Sequence, residues 1–462
     1  MFRFKYRMFA LAIGIVIVMI LVLWYIGRKS TIYDSIYFDN NATTQPHKEV
    51  VQAMADGVWL GNASSSYALE AKNKIDTLRA AVLKWCRADH HKVIITSGAS
   101  EANNLMIRSM VDYHWRTSPV SGRGITAKPH IIISSIEHKS ILDCAKLLSE
   151  EGRVDVSYIK PDIRGNIDPK DINSAMNART ILISIMSANN EIGNRLAIDE
   201  IAALAASRQI PFHTDAVQTF GKFQPDMKNM AALSMSFHKM NGPQGIGVLV
   251  LDNDIADRIK GQIAGSHNYH LRGGTENIPA ICGALKAMEI TLANRAQKNK
   301  HTLDMKRRII EQLSKEFSLI PYENLAGKTD EAALELVSKP VNGVTKGLVI
   351  MGPVNKFGMP DEDLTNPNTL LLSVINLRSV ADRAYERFCN IKFKSDLAAE
   401  HAIVSIGSAC LTGEAGPSHV LGGVDAPYIV RCGIIRISVG DYNTVSQVDS
   451  FCKKFVKCAW LQ

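Results

Sequence analysis

Short apolar runs alternate with segments of helical spacing from about residue 92 onward. These runs lie at 92–96, 131–134, 180–185, 210–213 and 247–251. Between several of them the apolar positions recur at the spacing of an amphipathic helix, as in the stretch from Asp199 to Ser207. Strands that alternate with helices in this way are typical of a mainly parallel sheet covered on both faces. We therefore predict an α/β fold whose functional groups gather at the carboxyl ends of the strands.

The pattern changes after the last of these runs. Residues 279–295 have the spacing of a long helix that leaves the sheet, and a smaller α+β domain is predicted from there to the C-terminus. The predicted division is an N-terminal anchor and linker at 1–34, a large domain at 35–295 and a small domain at 296–462. We expect the first residues of the large domain to pack on the small one.

The N-terminus contains an apolar run of a different kind. Residues 8–27 carry no charge, and Trp24 and Tyr25 stand at the end of the run, where aromatic belts lie in membrane proteins. A helix of this length is long enough to cross a bilayer. A cleaved or targeting segment and a buried core helix are the alternatives. We predict a single-pass membrane anchor at 8–27.

Composition and charge limit the classes of partner. An apolar content of 46% and a charged content of 21% are those of a globular protein. The net charge is +8, but five basic residues flank the apolar run, so the rest of the chain carries only +3. We therefore expect no nucleic-acid partner.

The cysteines and the glycosylation sequons favour a cytosolic catalytic domain. The chain has eight scattered cysteines and no Cys-x-x-Cys pair, which fits a reducing compartment. Sequons at Asn41 and Asn62 lie in segments that we assign to the active-site region, where glycans would be damaging. The predicted localisation is therefore a single-pass membrane protein whose catalytic domain faces the cytosol.

The segment 236–247 contains the most informative motif. His238 and Lys239 follow a strand-like apolar stretch, and a glycine-rich turn comes directly after them. Glycines let the backbone pass close to a ligand. A lysine in this position can form a Schiff base with a carbonyl compound such as pyridoxal phosphate. The alternative is an ordinary surface turn.

Polar groups follow the other predicted strands as well. The segment 97–104 opens a helix with small residues, which suits a phosphate, although an ordinary helix cap explains it too. His138 follows the second strand, where a surface or capping histidine is the alternative. Asn190 lies beyond the third strand. Asp215 ends the fourth, and an acid there either holds a pyridine nitrogen protonated or caps the next helix.

One cysteine differs from the others in its surroundings. Cys410 lies in the segment 405–421, which is rich in glycine, alanine and serine. A nucleophile that carries a group from one place to another needs such a mobile backbone. We expect the other seven cysteines to be buried structural residues.

Together these motifs resemble those of the cysteine desulfurases of the NifS type, within the class V aminotransferase group of pyridoxal-phosphate enzymes. The resemblance extends from Tyr37–Thr44 to Ile435–Gly440. It implies an aminotransferase-like large domain with a seven-stranded sheet, and a homodimer. It also implies conversion of L-cysteine to L-alanine, with the sulfur left as a persulfide on an enzyme cysteine and passed to a protein acceptor such as an iron–sulfur scaffold.

The resemblance also implies roles for individual residues. Lys239 corresponds to the Schiff-base lysine, Asp215 to the partner of the pyridinium nitrogen and His138 to the residue stacked on the ring, which is also a candidate base. The remaining cofactor contacts are Asn190 and Gln218 at the phenolic oxygen, Ala99, Ser100, Ser236 and His238 around the phosphate, and Thr275 on the phosphate of the neighbouring subunit. Asn41 and Arg436 are expected to bind the substrate, with Arg436 on its carboxylate, and Cys410 to attack its sulfur. No metal ligands are expected.

Three positions depart from the family pattern. Ala63 and Tyr67 stand where the family has proline and histidine, and Phe237 replaces a small residue beside the cofactor lysine, where it could crowd the phosphate site. None of the three removes a catalytic group. The alternatives to a desulfurase are a selenocysteine lyase, another class V pyridoxal-phosphate enzyme, or a weakly active membrane-tethered protein that binds sulfur-relay partners.

Overall fold

The computed structural model describes residues 35–65, 68–118, 127–338, 347–375, 388–406 and 418–460. The strands are β1 (Ile36–Tyr37), β2 (His91–Thr96), β3 (His130–Ser134), β4 (Asp155–Ile159), β5 (Thr180–Ser184), β6 (Phe212–Asp215), β7 (Ala232–Ser236), β8 (Gly247–Asp252), β9 (Ser318–Pro321), β10 (Gly347–Ile350), β11 (Thr369–Ile375), β12 (Ala402–Ile403) and β13 (Ile434–Ser438).

The α-helices of these ranges are α1 (Lys48–Gly57), α2 (Leu69–Cys86), α3 (Ala99–Thr117), α4 (Lys139–Glu150), α5 (Pro169–Ala175), α6 (Ile198–Ser207), α7 (Asn253–Ala256), α8 (Ile278–Ala293), α9 (Arg295–Leu313), α10 (Asp330–Ser338), α11 (Asn390–Ala399), α12 (His419–Gly423), α13 (Tyr428–Cys432) and α14 (Val445–Trp460).

Seven strands form the main sheet, in the order β2-β8-β7-β6-β5-β3-β4. All neighbouring pairs are parallel except those of β8, which runs antiparallel to both β2 and β7. The prediction of a mainly parallel, seven-stranded sheet is therefore confirmed. The apolar runs did not reveal β4, because it lies at the edge of the sheet and four of its five residues are only partly buried or exposed.

The main sheet separates two hydrophobic cores. Val93 and Ile95 of β2 belong to one core, together with residues of α2 and α8. Ile94, between them, belongs to the other core, which contains residues of α3 and α4. Successive side chains of a strand point to opposite faces, so the uniformly apolar runs reflect burial on both faces of the sheet.

A second sheet, of order β13-β11-β10-β9, lies in the C-terminal part of the chain. Its strands share a hydrophobic core with α9, α11 and α14. The first described strand joins this part, because β1 pairs in parallel with β12. The break between α8 and α9 falls at Asn294. The division of the chain at 295 and 296 stays a prediction.

The predicted membrane localisation needs correction. In the parts of the chain that the structure describes, no helix is both long enough and apolar enough to cross a bilayer. The run 8–27, on which the prediction was based, lies outside the described residues. A single-pass membrane protein with a cytosolic catalytic domain therefore has no support in the structure.

The first residue of β8 must be glycine because of two neighbouring backbone segments. A Cβ atom at Gly247 would lie 2.5 Å from the carbonyl oxygen of Met235 and 2.7 Å from the Cα atom of Gly98. Backbone atoms cannot rotate away as a flexible side chain can. The close approach brings the end of β7 next to the turn that precedes α3.

We expect Gly247→Ala to lower the free energy of unfolding by about 1–3 kcal/mol, the usual cost of overpacking. Urea unfolding followed by circular dichroism measures the change. Gly422→Ala is the matched control, because no atom lies within 4 Å of a Cβ at that position. Equal stability of the two variants would contradict this account of Gly247.

Candidate active site

Lys239 lies in the short turn that follows β7, at the carboxyl edge of the main sheet. Its Nζ atom donates hydrogen bonds to the carbonyl oxygens of Asn41, at 2.5 Å, and Ala42, at 2.7 Å. Burial, and then the positive charge of Arg436, lowers the pKa of the amine to about 7. A substantial fraction of this amine is therefore unprotonated, and nucleophilic, at neutral pH.

Arg436 comes from β13 of the second sheet and is buried beside the same segment. Its Nη2 atom donates to Oδ1 of Asp39 at 2.7 Å, and its Nη1 atom donates to the carbonyl oxygen of Asn190 at 3.0 Å. The Nε atom is buried without a hydrogen-bond partner. This guanidinium group thus retains a donor for an anionic ligand.

Asn41 connects the two sheets at the site. Its Nδ2 atom donates to Oγ1 of Thr369, at 2.8 Å, and to the carbonyl oxygen of Asn190, at 3.1 Å. Its Oδ1 atom accepts from Nδ2 of Asn368 at 2.9 Å. Gln218 donates to the main-chain carbonyl of Asn41 at 3.3 Å. The structure thereby brings together four residues that the sequence analysis selected: Asn41, Asn190, Gln218 and Arg436.

Asp215 ends β6 and is linked to His138 by a chain of polar side chains. Its Oδ2 atom accepts from Nδ2 of Asn103 at 2.8 Å, and the same amide group donates to Oγ of Ser140 at 3.0 Å. Nδ1 of His138 in turn accepts from the backbone N–H of Ser140 at 3.1 Å. These contacts orient a buried carboxylate and an exposed imidazole on the same side of the site.

The residues of the predicted phosphate cup lie at and near the start of α3. Ala99 and Ser100 are the first two residues of this helix, and the first N–H groups of a helix lack intrahelical partners and favour anions. Ser236 lies next to them, with its Oγ atom 3.6 Å from the position that a Cβ on Gly98 would occupy. Phe237 does not crowd this space, because its side chain is fully buried in the hydrophobic core.

His238 borders the cup as an uncharged group. Its Nδ1 atom lies 3.1 Å from Oγ1 of Thr43. Burial, and then the charge of Lys239, lowers the pKa of His238 to about 4. At neutral pH this imidazole therefore offers a hydrogen bond to an anion but no positive charge.

Thr275 lies on an exposed loop. The preceding Arg272 donates from Nε to Oε1 of Glu101 at 3.0 Å, and Oε2 of Glu101 accepts from the N–H of Ser97 at 2.7 Å. The loop is thereby fixed to the first turn of α3. A contact from Thr275 to the phosphate of a neighbouring subunit stays a prediction.

Cys410 lies outside the described residues. Two described residues at the end of its segment, Ser418 and His419, contact two loops of the main sheet. Ser418 donates from Oγ to Oε2 of Glu191 at 2.5 Å, and Nε2 of His419 lies 3.0 Å from the carbonyl oxygen of Glu137. These two loops also carry Asn190 and His138.

Pyridoxal phosphate fits the groups that are present. The site offers a partly unprotonated amine, a carboxylate for a ring nitrogen, an imidazole for a ring face and helix N–H groups for a phosphate. Asp39 and Asn103 are residues of the site to which the sequence analysis gave no role. Both lie inside motifs that it selected, but nothing in the sequence shows that Asp39 pairs with Arg436 or Asn103 with Asp215.

The chain matches the family model "Aminotransferase class-V" over residues 36–350. It is 32% identical over 427 residues to the cysteine desulfurase IscS of Methanosarcina thermophila, covering 91% of each chain. It is 31% identical over 418 residues to the cysteine desulfurase IscS of Dictyoglomus turgidum, covering 88% of this chain and 90% of the relative.

Solved structures agree with these relatives. A NifS-like protein superposes with a TM-score of 0.72 at 27% identity, covering 93% of this chain and all of the other. SspA, solved in complex with cysteine, superposes with a TM-score of 0.63 at 26% identity, covering 89% of this chain and all of the other. The chain belongs to the class V aminotransferase family and, within it, to the cysteine desulfurases.

Proposed function

We propose that this protein is a pyridoxal-phosphate-dependent cysteine desulfurase that converts L-cysteine to L-alanine. The substrate sulfur is transferred to Cys410, so that one thiol and L-cysteine become one persulfide and L-alanine. The observation that carries the proposal is the geometry around Lys239. The pKa of its amine is lowered to about 7, and the buried Arg436 beside it has an unpartnered Nε donor. Asp215 and the start of α3 lie at the same edge of the sheet.

Bound pyridoxal phosphate would supply an electron sink for the bonds at the substrate Cα. Asp215 would keep a positive charge on the ring nitrogen, because its carboxylate is buried and fixed by Asn103. Asn190 and Gln218 would contact the phenolic oxygen. Ala99, Ser100, Ser236 and His238 would surround the phosphate group.

The same residues would position the substrate and move its protons. Arg436 would bind the carboxylate of L-cysteine through its unpartnered Nε and the outer face of its fork, with Asn41 beside it. Lys239, once its amine is free, would transfer protons at the substrate Cα. His138 is a further candidate base, since its ring is exposed on the cofactor side of Ser140.

Sulfur transfer requires partners beyond the substrate. The Cys410 persulfide would be handed to a protein acceptor, such as a scaffold on which iron–sulfur clusters are assembled. The proposed assembly is a homodimer, because Thr275 is exposed and lies on a loop fixed to α3, from which it could reach a neighbouring cup.

We expect borohydride reduction to fix the cofactor on Lys239, and peptide mapping by mass spectrometry to find it there. The rate at which apoprotein captures pyridoxal phosphate should rise with pH around a midpoint near 7, because only the unprotonated amine attacks. Lys239→Ala should bind the cofactor without a reducible bond. A label on any other lysine would refute the assignment.

Arg436→Met should act on both the amine and the substrate. Removing the positive charge raises the pKa of Lys239, so the midpoint of cofactor capture should move upward by about one pH unit. The KM for L-cysteine should also rise, with sulfur transfer retained at saturation. Arg258→Met is the control, because this arginine is exposed and is not among the charges that act on Lys239. An unchanged midpoint would exclude the electrostatic role of Arg436.

Cys410→Ser should separate cofactor chemistry from sulfur transfer. We expect L-cysteine still to change the cofactor spectrum, while release of alanine and persulfide falls by about a hundredfold or more. Cys389→Ser is the matched control, since Cys389 is a free and exposed cysteine. Turnover of Cys410→Ser at the parent rate would show that another group carries the sulfur.

A further inference from the structure

A cavity of about 50 Å³ is lined by Lys239 but by none of the other groups that fit the cofactor. Among the residues to which we assign cofactor or substrate contacts, Lys239 alone lines it. The rest of the lining comes from the segment after β1, the turn after β6, the two residues after Lys239, helices α8 and α9, the residue before β11 and the segment after β13. The cavity is therefore a separate space that shares one catalytic group with the active site.

Three lysines line the cavity, and a single carboxylate faces them. Lys298 is fully engaged, because its Nζ atom lies 2.5 Å from Oδ2 of Asp441 and 3.2 Å from Nε2 of His47. Nζ of Lys239 donates to two backbone carbonyls. The charges of Asp441 and Lys298 thus cancel, and the cavity retains an excess of positive charge.

Lys222 carries this excess charge at neutral pH, because burial lowers its pKa only to about 8 and the charge of Asp441 opposes that shift. Its Nζ atom donates to the carbonyl oxygen of Gln218 at 2.8 Å, and no carboxylate in the described part of the chain lies within 4.0 Å of it. An ammonium group has three N–H donors, so two remain for the cavity. A positive charge taken from water without a counter-charge is costly, and an anion would offset that cost.

The neighbouring polar side chains make bonds elsewhere and do not compete for such an anion. Nδ2 of Asn299 donates to the carbonyl oxygen of Lys222 at 2.9 Å, and Oγ1 of Thr302 donates to the carbonyl oxygen of Lys298 at 3.0 Å. The space is large enough for a monatomic or similarly compact ion, because its volume of about 50 Å³ exceeds the roughly 10–15 Å³ that one water molecule needs in a cavity.

We propose that this cavity binds a small monovalent anion, a halide or hydrosulfide, through the ammonium group of Lys222. The site goes beyond the proposed reaction and does not depend on it. Its occupant would also act on Lys239. The charge of Lys222 is one of those that lower the pKa of Lys239, together with Arg436, while Asp39 and Asp215 raise it. An anion beside Lys222 would cancel part of the effect of the Lys222 charge, so the pKa of Lys239 would rise.

Bromide is the probe that tests the site directly. Crystals of the full-length protein soaked in sodium bromide should show an anomalous peak within hydrogen-bonding reach of Nζ of Lys222, and Lys222→Met crystals should lose it. Lys306→Met is the matched control. Lys306 is another buried lysine, but it donates to Oγ1 of Thr365 and to the carbonyl oxygen of Asn366 and does not line the cavity. Its crystals should keep the peak.

A solution measurement tests the coupling to Lys239. Bromide, added at constant ionic strength, should move the pH midpoint of pyridoxal phosphate capture by apoprotein upward in a saturable way. The bromide effect should be lost in Lys222→Met and kept in Lys306→Met. Water alone in the cavity at high bromide, or bromide only on the outer surface, would overturn the proposal. If Cys410→Ser retained sulfur transfer, the proposed role of Cys410 would fail, but the proposed anion site would not be affected.

Discussion

The buried ion pair between Arg436 and Asp39 is the interaction on which the site depends. A guanidinium group that is 6% exposed needs a counter-charge, and Asp39 supplies it at 2.7 Å. Asp39 lies just beyond β1, and Arg436 lies on β13 of the second sheet. The pair therefore fixes the chain after β1 against the second sheet. The carbonyls of Asn41 and Ala42, in the same segment, then hold the amine of Lys239 from the main sheet.

This arrangement gives Arg436 two consequences at once. It places a donor for a carboxylate beside the site, and it lowers the pKa of Lys239 from within the same cluster. Asp39 opposes the second effect, since its charge raises that pKa. Burial lowers the pKa of Lys239 most, and the opposing charges of the pair, rather than the arginine alone, adjust it further. Asn41 fixes the segment that carries Asp39, because it is hydrogen-bonded to Thr369 and Asn368 at the start of β11.

The sequence predicts those parts of the fold that local pattern determines. Four of the five apolar runs overlap a strand almost end to end, and these strands, β2, β3, β5 and β8, are mainly apolar on both faces. The run 210–213 is displaced, because β6 begins at Phe212 and continues through Asp215. The edge strand β4 has no apolar run to reveal it. Contacts between distant segments, such as Asp39 with Arg436, have no local signature, so motifs place both residues in the site without pairing them.

The charges of the site also explain why its ligands are anions. Arg436 and Lys222 are buried cations, and Lys239 adds a partly protonated amine, whereas Asp39 and Asp215 are the acids that act on that amine. Helix N–H groups at the start of α3 add further positive potential. The negative charges of a phosphate group and a substrate carboxylate would offset this excess of positive charge. Because a ligand that binds the folded state stabilises it, the positive charges that lower the pKa of Lys239 in the apoprotein also favour the binding of an anionic cofactor beside this lysine.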